Sequence, residues 1–386
     1  MASITRGKIL CLATITLLVF FSQIVLAETE FPELRSIAIV VYDADYGLVV
    51  YEKNMHARRS IASLTKIMTL LYACELVENG KISLDDVVTA SANAASREGT
   101  QIRLKAGDKF TVEELLYATA LSSANDAAVA LAEYIAGSEK EFARMMSTRA
   151  RELGINNTNF VDATGLLSIY DGNYSTAYEL AILSTIAMQN DLFRTLVSTK
   201  EYELKAQGRT IKNTNSLLHD IEGVNGIKTG STTPAGHTLV TSVIKHNRHL
   251  IIVVLGAPSR EVRNEESEQL LNWAFSNLEV VIRANEVVEQ LEVPDGVDHL
   301  INVVPSREIS FFFPWEDLRE FEQRIELRDN IRAPVDKGDK VGEIIFERNG
   351  EEFARADLVA AQGTGLASFL RRIFNVLRKF FINLFS

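Results

Sequence analysis

Three short motifs that lie far apart in the sequence constrain the fold of this chain most strongly. They are Ser63-Leu-Thr-Lys66, Ser123-Ala-Asn125 and Lys228-Thr229-Gly230. Because the three serve one chemistry, a fold that uses them must bring them into one cleft. Each motif is weak alone: a second Ser-x-x-Lys lies at 242–245 and a second Ser-x-Asn at 91–93, whereas Lys-Thr-Gly occurs once.

Sequence context separates the first motif from its second copy. Ser63 opens an apolar run of helical composition, and on a helix Ser63 and Lys66 share one face. Ser242 and Lys245 lie in a β-branched stretch that predicts a strand, where residues three apart point to opposite faces. Of the two pairs, therefore, only Ser63 and Lys66 can bring a lysine amine close to a serine hydroxyl.

The second motif is distinguished by its neighbours. Ser123-Ala-Asn125 lies between two apolar periodic segments, 112–121 and 127–135, which predict two helices joined by a tight junction. Short polar side chains at such a junction can project into a cleft. Ser91-Ala-Asn93 lies in a polar stretch of small residues, and we interpret it as a helix cap or turn.

The residues around these motifs resemble the low-molecular-mass penicillin-binding proteins of the D-alanyl-D-alanine carboxypeptidase family. The similarity extends over Ile61-Ala-Ser-Leu-Thr-Lys-Ile-Met-Thr, Ser123-Ala-Asn-Asp-Ala-Ala-Val-Ala-Leu-Ala and Gly226-Ile-Lys-Thr-Gly-Ser-Thr-Thr-Pro-Ala-Gly. Downstream, Arg332-Ala-Pro-Val-Asp-Lys-Gly-Asp-Lys-Val-Gly resembles their small C-terminal β-domain. The resemblance covers nearly the whole mature chain. It implies a serine enzyme that removes the terminal D-alanine from peptidoglycan stem peptides and binds β-lactams covalently.

The catalytic prediction begins with a serine that has no His or Asp motif beside it. A serine hydroxyl is a poor nucleophile until a neighbour accepts its proton, so we expect Lys66 to be the base for Ser63. Burial and the positive charge of Lys228 would have to lower the pKa of this lysine. The resemblance implies that Ser123 relays a proton to the leaving amine and that Asn125 holds Lys66 and the substrate amide.

The third motif is predicted to bind the substrate. Lys228 and Thr229 would bind a terminal carboxylate, and Gly230 would let the substrate backbone lie close to its strand. The resemblance implies an oxyanion hole made by the backbone N–H groups of the nucleophile and of Ser231, where some relatives carry a bulkier residue. Arg263 resembles a family arginine that assists with the carboxylate, and a solvated charge on a helix end is the alternative.

The N-terminus has the pattern of a secretory signal peptide. Arg6 and Lys8 precede a mostly apolar stretch, and Val25-Leu-Ala27 is a small-residue cleavage pattern, so we expect residues 1–27 to be removed. The mature chain would then be secreted across the cytoplasmic membrane into the bacterial cell envelope. A retained N-terminal membrane anchor is the alternative.

Composition argues against several other classes of protein. Beyond the predicted signal peptide Cys74 is the one remaining cysteine, so we expect no internal disulfide, and no Cys/His cluster has the spacing of metal ligands. A formal charge of −11 argues against nucleic acid as a partner, and no Gly-rich phosphate loop follows a predicted strand. We expect neither a metal nor another cofactor.

The hydrophobic pattern predicts a mixed α/β (α+β) chain with two folded domains. In the first, 28–278, strand patterns at 36–51 and 238–256 enclose a helix-rich middle, and a helix follows at 265–275. This order implies an antiparallel sheet closed by sequence-distant strands and flanked by helices, in agreement with the penicillin-binding/β-lactamase-like transpeptidase fold that the resemblance implies. Short β-like runs predict a small all-β domain over 279–362, a spacer without catalytic signature.

The last segment, 363–386, has an amphipathic pattern. One arc of its helical wheel carries Arg371, Arg372, Arg378 and Lys379, and most of the remaining surface is aliphatic or aromatic. Four positive charges argue against a spanning helix. We predict a helix that lies on an anionic membrane at the outer face of the cytoplasmic membrane. Packing against the β-domain is the alternative.

Two other functions share the three motifs. A serine β-lactamase needs a deacylating carboxylate between the second and third motifs, but the candidate, Glu179, lies in a pattern typical of a helix interior. A catalytically weak penicillin-binding scaffold is the non-enzymatic alternative. The intact Ser63, Lys66, Ser123 and Lys228 argue against it.

Overall fold

A computed structural model describes residues 33–312, 321–348 and 350–373 of the chain. The signal peptide predicted over 1–27 falls outside these residues, as does most of the predicted terminal helix. Within the described ranges, helices combine with antiparallel sheets. The predicted mixed fold class is therefore confirmed.

A five-stranded sheet forms the middle of the first domain. Its strands are β1 (Ala38–Asp43), β2 (Leu48–Lys53), β7 (Val224–Thr232), β8 (Gly236–Lys245) and β9 (Arg248–Ala257). Their spatial order is β2-β1-β9-β8-β7, and every neighbouring pair is antiparallel. The pairing of β1 with β9 closes the sheet with strands from opposite ends of the domain, as the sequence predicts. The Lys-Thr-Gly motif lies on the edge strand β7.

Helices cover both faces of this sheet. They are α1 (Lys66–Glu78), α2 (Ala92–Ala95), α3 (Val112–Leu121), α4 (Asn125–Ala136), α5 (Glu139–Glu152), α6 (Ala177–Ala187), α7 (Asp191–Ser198), α8 (Leu217–Asp220) and α9 (Arg260–Ser276). Val40 packs into a core with α1, α3, α4 and α6, whereas Ile39 and Val41 pack with α8 and α9. Alternate residues of a strand point to opposite faces of the sheet, and here helices bury both faces. The strands are therefore continuous apolar runs in the sequence.

Two short antiparallel strand pairs complete the helical region: β3 (Val87–Thr89) pairs with β4 (Lys109–Thr111), and β5 (Glu201–Leu204) with β6 (Arg209–Lys212). The last helix of the domain, α9, begins earlier than the start at 265 that the sequence predicts. Ser259 caps it, because its side chain accepts a hydrogen bond from the N–H group of Val262. The additional turn carries Arg263 into the helix.

The chain after α9 forms a small β-structure. β10 (Leu278–Ile282) pairs with β13 (Ile309–Phe312). Five further strands form a sheet in the order β11-β12-β16-β15-β14: β11 (Glu289–Glu292), β12 (Leu300–Pro305), β14 (Glu322–Leu327), β15 (Lys340–Arg348) and β16 (Glu351–Ala360). Its apolar core, which includes Ile301, Phe311 and Phe346, is separate from the cores around the first sheet. The small all-β domain predicted at this end of the chain is confirmed.

A buried charge cluster joins the two domains. Arg248, at the start of β9, is 3% exposed and forms ion pairs with Asp43 and Asp45; its Nε lies 3.1 Å from Oδ2 of Asp45. Its Nη1 donates a hydrogen bond of 3.4 Å to Oγ of Ser310 in β13. The guanidinium also lies 4.5 Å from the ring centre of Tyr46. The arginine therefore contacts elements of both domains.

At the end of the described chain the backbone passes from sheet to helix. A bridge at Thr364 ties this segment to the β-domain, so the helix predicted over 363–386 begins later than expected. Residues 369–373 are helical. Phe369 and Leu370 are 70% and 78% exposed. In the described part of the chain, no helix has the length and apolar character needed to cross a membrane.

Candidate active site

Ser63 lies at the entrance to α1, in a turn of 3-10 helix that spans Ala62–Thr65. The sequence predicts that Ser63 and Lys66 share a helical face; in the structure Ser63 precedes the α-helix, whose first residue is Lys66. A 3-10 helix has three residues per turn, so side chains three positions apart are eclipsed. Nζ of Lys66 consequently lies 3.1 Å from Oγ of Ser63.

The amine of Lys66 is fully buried and surrounded by neutral oxygen atoms. Besides contacting Ser63, Nζ donates to Oδ1 of Asn125 at 2.7 Å and to the carbonyl oxygen of Thr164 at 2.8 Å. Burial disfavours the charged form and lowers the pKa of Lys66 to about 7, against the opposing effect of carboxylates, of which Asp162 has the largest. At neutral pH a substantial fraction of this amine is therefore unprotonated.

The second motif forms the predicted tight junction between α3 and α4. Ser123 has a positive φ of 57°, and its buried Oγ has no hydrogen-bond partner among the described residues. The N–H group of Asn125 donates to the carbonyl oxygen of Thr100 at 2.7 Å, and its Nδ2 to that of Glu98 at 2.7 Å. These bonds orient the amide oxygen toward Lys66. A buried hydroxyl without a partner is costly, which suggests a role for Ser123 other than packing.

The third motif brings β7 against the turn that carries the serine. A Cβ atom on Gly230 would lie 3.0 Å from the backbone nitrogen of Ser63, so the absence of a side chain permits this close approach. Lys228 is 1% exposed. Burial, with the positive charges of Lys66 and Arg263, lowers the pKa of Lys228 well below its usual value. The charge of Lys66 thus disfavours protonation of Lys228, whereas burial alone accounts for the lowered pKa of Lys66.

Polar contacts lead from β7 toward α9. The hydroxyl of Thr229 forms a hydrogen bond of 2.9 Å with that of Thr214. Arg263 donates from Nε and Nη2 to Oδ1 of Asn264, at 3.0 and 2.8 Å, and Asn264 donates to Oγ of Ser216 at 2.8 Å. Arg263 is 3% exposed, and burial lowers its pKa to about 10. It is thus a buried cation with a fixed position, and the alternative of a solvated helix-end charge is wrong.

Ser231 differs from the other predicted site residues because its side chain is exposed. It follows Gly230, which adjoins the backbone of Ser63, and it lies opposite His237 of β8. The part of this residue nearest to the nucleophile is therefore its main chain. A change in side-chain size at this position leaves the backbone N–H group in place.

Loop 162–167 supplies contacts that the sequence analysis missed. The carbonyl oxygen of Thr164 accepts a hydrogen bond from the amine of Lys66. Asp162 shapes the loop, because its carboxylate accepts hydrogen bonds from three backbone N–H groups of the loop. Gly165 has a φ of 81°, and a Cβ atom there would lie 1.8 Å from the carbonyl oxygen of Ala62. Asp-Ala-Thr-Gly is a turn signal in the sequence, but a turn signal does not say what the loop contacts.

The second copies of the motifs have structural roles, which confirms their interpretation from sequence. Ser242 is fully buried in β8 and lies 2.8 Å from Nε2 of His249, whereas Lys245 is exposed. Ser91 caps α2, accepting a hydrogen bond of 2.9 Å from the N–H group of Ala94. Neither copy pairs a lysine amine with a serine hydroxyl.

Glu179, the candidate deacylating carboxylate of a β-lactamase, is engaged in packing the chain. It lies in the first turn of α6, not in the helix interior that the sequence indicates. Its Oε1 accepts hydrogen bonds from the backbone N–H groups of Asn156 and Asn157, at 3.0 and 2.7 Å. Its Oε2 accepts a hydrogen bond of 2.6 Å from the hydroxyl of Thr158. Both carboxylate oxygens are therefore occupied by structural hydrogen bonds.

The three motifs meet between the helical region and the edge strand of the sheet. Lys66 joins the hydroxyl of Ser63 to the amide of Asn125, and Gly230 brings β7 to the serine turn. Within the described ranges, no group of His, Cys, Asp and Glu side chains could hold a metal ion. A lysine-contacted serine beside a Lys-Thr-Gly edge strand defines the class of active-site serine enzymes that bind penicillin.

Comparison with known proteins narrows this class to one family. Residues 26–259 match the profile of the family described as D-alanyl-D-alanine carboxypeptidase. Residues 278–364 match the profile described as penicillin-binding protein 5, C-terminal domain. The chain therefore belongs to the D-alanyl-D-alanine carboxypeptidase family of penicillin-binding proteins.

Individual relatives match both domains of the chain. D-alanyl-D-alanine carboxypeptidase DacF of Bacillus subtilis is 37% identical over 350 residues, which are 88% of this chain and 90% of that protein. Penicillin binding protein 5 from Haemophilus influenzae has a TM-score of 0.65 at 30% identity and covers 86% of this chain and 98% of its own. A peptidoglycan synthesis regulatory factor (PBP3) from Streptococcus pneumoniae has a TM-score of 0.73 at 27% identity, with 86% and 99% covered.

Proposed function

We propose that this chain is a serine-type D-alanyl-D-alanine carboxypeptidase in which Ser63 is the nucleophile and Lys66 its base. The observation that carries the proposal is the 3.1 Å contact between the serine hydroxyl and a buried amine whose pKa is about 7. A base with a pKa near the working pH can accept a proton in one step and return it in the next. Family membership supplies the substrate class, the D-Ala-D-Ala end of a peptidoglycan stem peptide.

In the acylation step, Oγ of Ser63 attacks the carbonyl carbon of the penultimate D-alanine while Nζ of Lys66 accepts the hydroxyl proton. The carbonyl oxygen then carries the negative charge of the tetrahedral intermediate. Backbone N–H groups of Ser63 and Ser231 stabilise this charge in the proposed mechanism. The close approach of Gly230 to the backbone nitrogen of Ser63 supports this pairing, because it brings the two stretches of main chain together.

Collapse of the intermediate requires a proton on the nitrogen of the leaving D-alanine. Ser123 relays this proton from Lys66, and its buried hydroxyl without a described partner supports the role. Asn125 keeps the amine in position through its 2.7 Å hydrogen bond. Water then attacks the ester on Ser63 while Lys66 accepts a proton from that water. Lys66 returns this proton to Oγ of Ser63 as the ester bond breaks, which releases the trimmed stem and regenerates the serine.

Recognition of the substrate terminus falls to Lys228 and Thr229, with Arg263 as a further cation. A carboxylate beside Lys228 would favour its charged form and offset the repulsion from Lys66. The hydroxyl of Thr229 is 2.9 Å from that of Thr214, which fixes its orientation for a carboxylate oxygen. The same groups would receive the carboxylate of a β-lactam, which would acylate Ser63 in place of the peptide.

A β-lactamase is not favoured, because the occupied carboxylate of Glu179 cannot serve as the water-activating base. Labelled penicillin tests the assignment of the nucleophile. We expect stoichiometric and persistent labelling of the wild-type protein and of Ser242→Ala, a control in the second Ser-x-x-Lys. We expect no labelling of Ser63→Ala. Stoichiometric labelling of Ser63→Ala would make the assignment wrong.

In the proposed function, each segment of the chain has a role in placing this activity in the cell envelope. Residues 1–27 direct secretion, 28–278 carry the reaction, and 279–362 are a spacer. Residues 363–386 attach the protein to the outer face of the cytoplasmic membrane through an amphipathic helix. The exposure of Phe369 at the start of the helical residues supports this attachment.

Vesicle sedimentation tests the attachment. A chain that lacks 365–386 should keep its rate on small stem peptides and fail to sediment with anionic vesicles, because the basic and apolar contacts are lost together. Changing Arg371, Arg372, Arg378 and Lys379 to Gln should weaken binding less than the deletion and remove most of its salt dependence. Sedimentation of the truncated protein would indicate an anchor elsewhere, such as an uncleaved N-terminal segment.

A further inference from the structure

A partly buried ion pair links two segments of the chain beside the active site. Nη2 of Arg97 lies 2.6 Å from Oε2 of Glu139, and the two side chains are 29% and 11% exposed. Arg97 belongs to the segment 97–101, which follows α2, whereas Glu139 is the first residue of α5. The same Nη2 donates to Oδ1 of Asn93 at 3.0 Å. The pair therefore joins residues that are 42 positions apart in the sequence.

Segment 97–101 orients the side chain of Asn125. Nδ2 of Asn125 donates to the carbonyl oxygen of Glu98 at 2.7 Å, and its backbone N–H group donates to that of Thr100 at 2.7 Å. Arg97 immediately precedes Glu98, so the ion pair holds the segment one residue away from a carbonyl group that fixes the amide. The position of Oδ1, which accepts a hydrogen bond of 2.7 Å from Lys66, therefore depends on this segment.

Glu139 holds the loop 162–167 on the other side of the lysine. Its Oε1 accepts a hydrogen bond of 3.2 Å from the N–H group of Ala163. The next residue is Thr164, whose carbonyl oxygen accepts a hydrogen bond of 2.8 Å from the amine of Lys66. One oxygen of Glu139 thus bonds the loop, and the other bonds Arg97. Both segments that position an acceptor for the lysine are therefore tied to one carboxylate.

The two acceptors determine where the lone pair of the amine points. A neutral lysine amine has two N–H groups and one lone pair in a tetrahedral arrangement. Because Asn125 and Thr164 accept two hydrogen bonds, the lone pair is left for the remaining contact, with Oγ of Ser63 at 3.1 Å. Movement of either acceptor would turn the lone pair away from the hydroxyl, and a misplacement of about 1 Å can cost about 10²-fold in rate.

We propose that the ion pair of Arg97 and Glu139 is a clasp that fixes both acceptors of Lys66 and so directs the lone pair of the amine at Ser63. Arg97 and Glu139 are then positioning residues, which act on the reaction through the lysine. The inference rests on the proposed function, in which Lys66 is the base. The clasp contributes to the rate of acylation and not to the initial binding of substrate, because it holds none of the groups proposed to receive the substrate carboxylate.

Arg97→Gln and Glu139→Gln test the clasp. The single oxygen of a glutamine at position 139 can accept a hydrogen bond from Ala163 or from Arg97, but its amide cannot replace both carboxylate oxygens. We expect the first-order rate constant of acylation by saturating labelled penicillin to fall about tenfold in each variant, with an unchanged dissociation constant of the noncovalent complex. The double variant should be no slower than either single variant. Arg97→Lys, which keeps the charge and a donor, should recover most of the rate.

Glu75→Gln is the matched control. Glu75 on α1 pairs with Arg149 on α5 at 2.8 Å, and the two side chains are 19% and 30% exposed, which is similar to the clasp. The side-chain hydrogen bonds of Arg149 go to Glu75 and to Glu152, within the same two helices. The control should lose about as much thermal stability as Arg97→Gln and keep the wild-type rate of acylation.

The two clasp variants differ in what else they remove. Glu139 lies in the first turn of α5, where a carboxylate stabilises the helix, so Glu139→Gln loses this contribution as well. Arg97→Gln removes the ion pair and leaves the carboxylate in place. A loss of rate in Arg97→Gln is therefore the more direct support for the clasp.

Three outcomes would overturn the clasp. The first is a wild-type acylation rate in Arg97→Gln, and the second is an equal loss of rate in Glu75→Gln, which would indicate a general effect of stability. The third is a raised dissociation constant with an unchanged rate constant, which would assign the pair to substrate binding. Failure of the proposed function is distinguishable, because Lys66→Met would then be acylated at the wild-type rate. If only the clasp fails, Lys66→Met is slow and both clasp variants are fast.

Discussion

Two buried cations in this molecule have opposite surroundings. Lys66 is 0% exposed, and the atoms that accept its hydrogen bonds are a hydroxyl, an amide and a carbonyl oxygen, all neutral. Arg248 is 3% exposed, and its closest partners are the carboxylates of Asp43 and Asp45. One buried charge lacks a directly bonded counter-ion, and the other has two.

This difference in surroundings distinguishes a catalytic side chain from a structural one. A buried amine bonded to neutral oxygens is stabilised by losing its proton, so the pKa of Lys66 falls to about 7 and the residue becomes a base. A buried guanidinium beside carboxylates keeps its charge, and removal of one partner leaves the others uncompensated. Arg248 accordingly links β9 to Ser310 of the β-domain and takes no part in the reaction that we propose.

Lys66→Met should produce the largest effect on activity. Methionine has a similar length but accepts no proton, so we expect kcat/KM to fall by about 10²–10⁴-fold, the usual contribution of a general base. The free energy of unfolding should change little, because removal of a desolvated amine is offset by the loss of its hydrogen bonds to Asn125 and Thr164. Steady-state kinetics on a D-Ala-D-Ala peptide and urea unfolding measure the two quantities. A large loss of stability with retained activity would contradict both assignments.

Arg248→Met should give the reverse pattern. Asp43 would remain buried without its cation, and breaking such a pair costs about 3–5 kcal/mol of unfolding free energy. At a temperature where the variant is folded, kcat/KM should equal that of the wild type. Urea unfolding and steady-state kinetics again measure both quantities.

The double variant Arg248→Met/Asp43→Leu is the control for this prediction, because it removes both charges together. It should recover part of the lost stability. If Arg248→Met is as stable as the wild type, then the ion pairs do not compensate the buried charge, and the contrast with Lys66 fails.

The two cations also differ in how well the sequence predicts them. Lys66 lies in a motif whose spacing and helical context are local, so its contact with Ser63 could be anticipated from a few residues. Arg248 follows His246 and Asn247 in a turn between two strands, a context typical of a solvated residue. Its burial depends on Ser310, 62 positions later, and on the packing of a second domain. No local pattern contains that information.

The same limit applies inside the active site. Strand and helix patterns predicted the sheet, its closure by distant strands and the junction at Ser123, because these follow from hydrophobic periodicity. The carbonyl oxygen of Thr164 has no sequence signature, because every residue has a backbone carbonyl oxygen. Its contact with Lys66 exists because Asp162 and Gly165 shape a loop that packs on the serine turn. Backbone contacts of this kind emerge only in three dimensions.

Lys228→Met should have the next largest effect and would sharpen the comparison, because Lys228 is a buried amine whose proposed counter-ion is the substrate. Losing the interaction between Lys228 and the substrate carboxylate should cost about 2–5 kcal/mol of transition-state stabilisation, and amidation of the substrate's C-terminus should cost a similar amount. The two changes together should cost little more than either alone. Values of kcat/KM for the four combinations of enzyme and substrate test this. Additive losses would indicate that Lys228 acts only by influencing Lys66.

The smallest expected effect is the pH dependence of the reaction, which tests whether the amine of Lys66 loses its proton near neutral pH. With a pKa of about 7, Lys66 is protonated below that pH and neutral above it. Because only the neutral amine can accept the proton of Ser63, kcat/KM should rise with pH, reach a plateau above pH 7, and fall by about tenfold per unit on the acid side. Arg248→Met should leave this midpoint unchanged, since the hydrogen bonds of the arginine go to Asp43, Asp45 and Ser310 and none goes to an active-site residue. A plateau that extends to pH 5 would mean that Lys66 is not the base in the free enzyme, and the contrast between the two buried cations would then lose its chemical meaning.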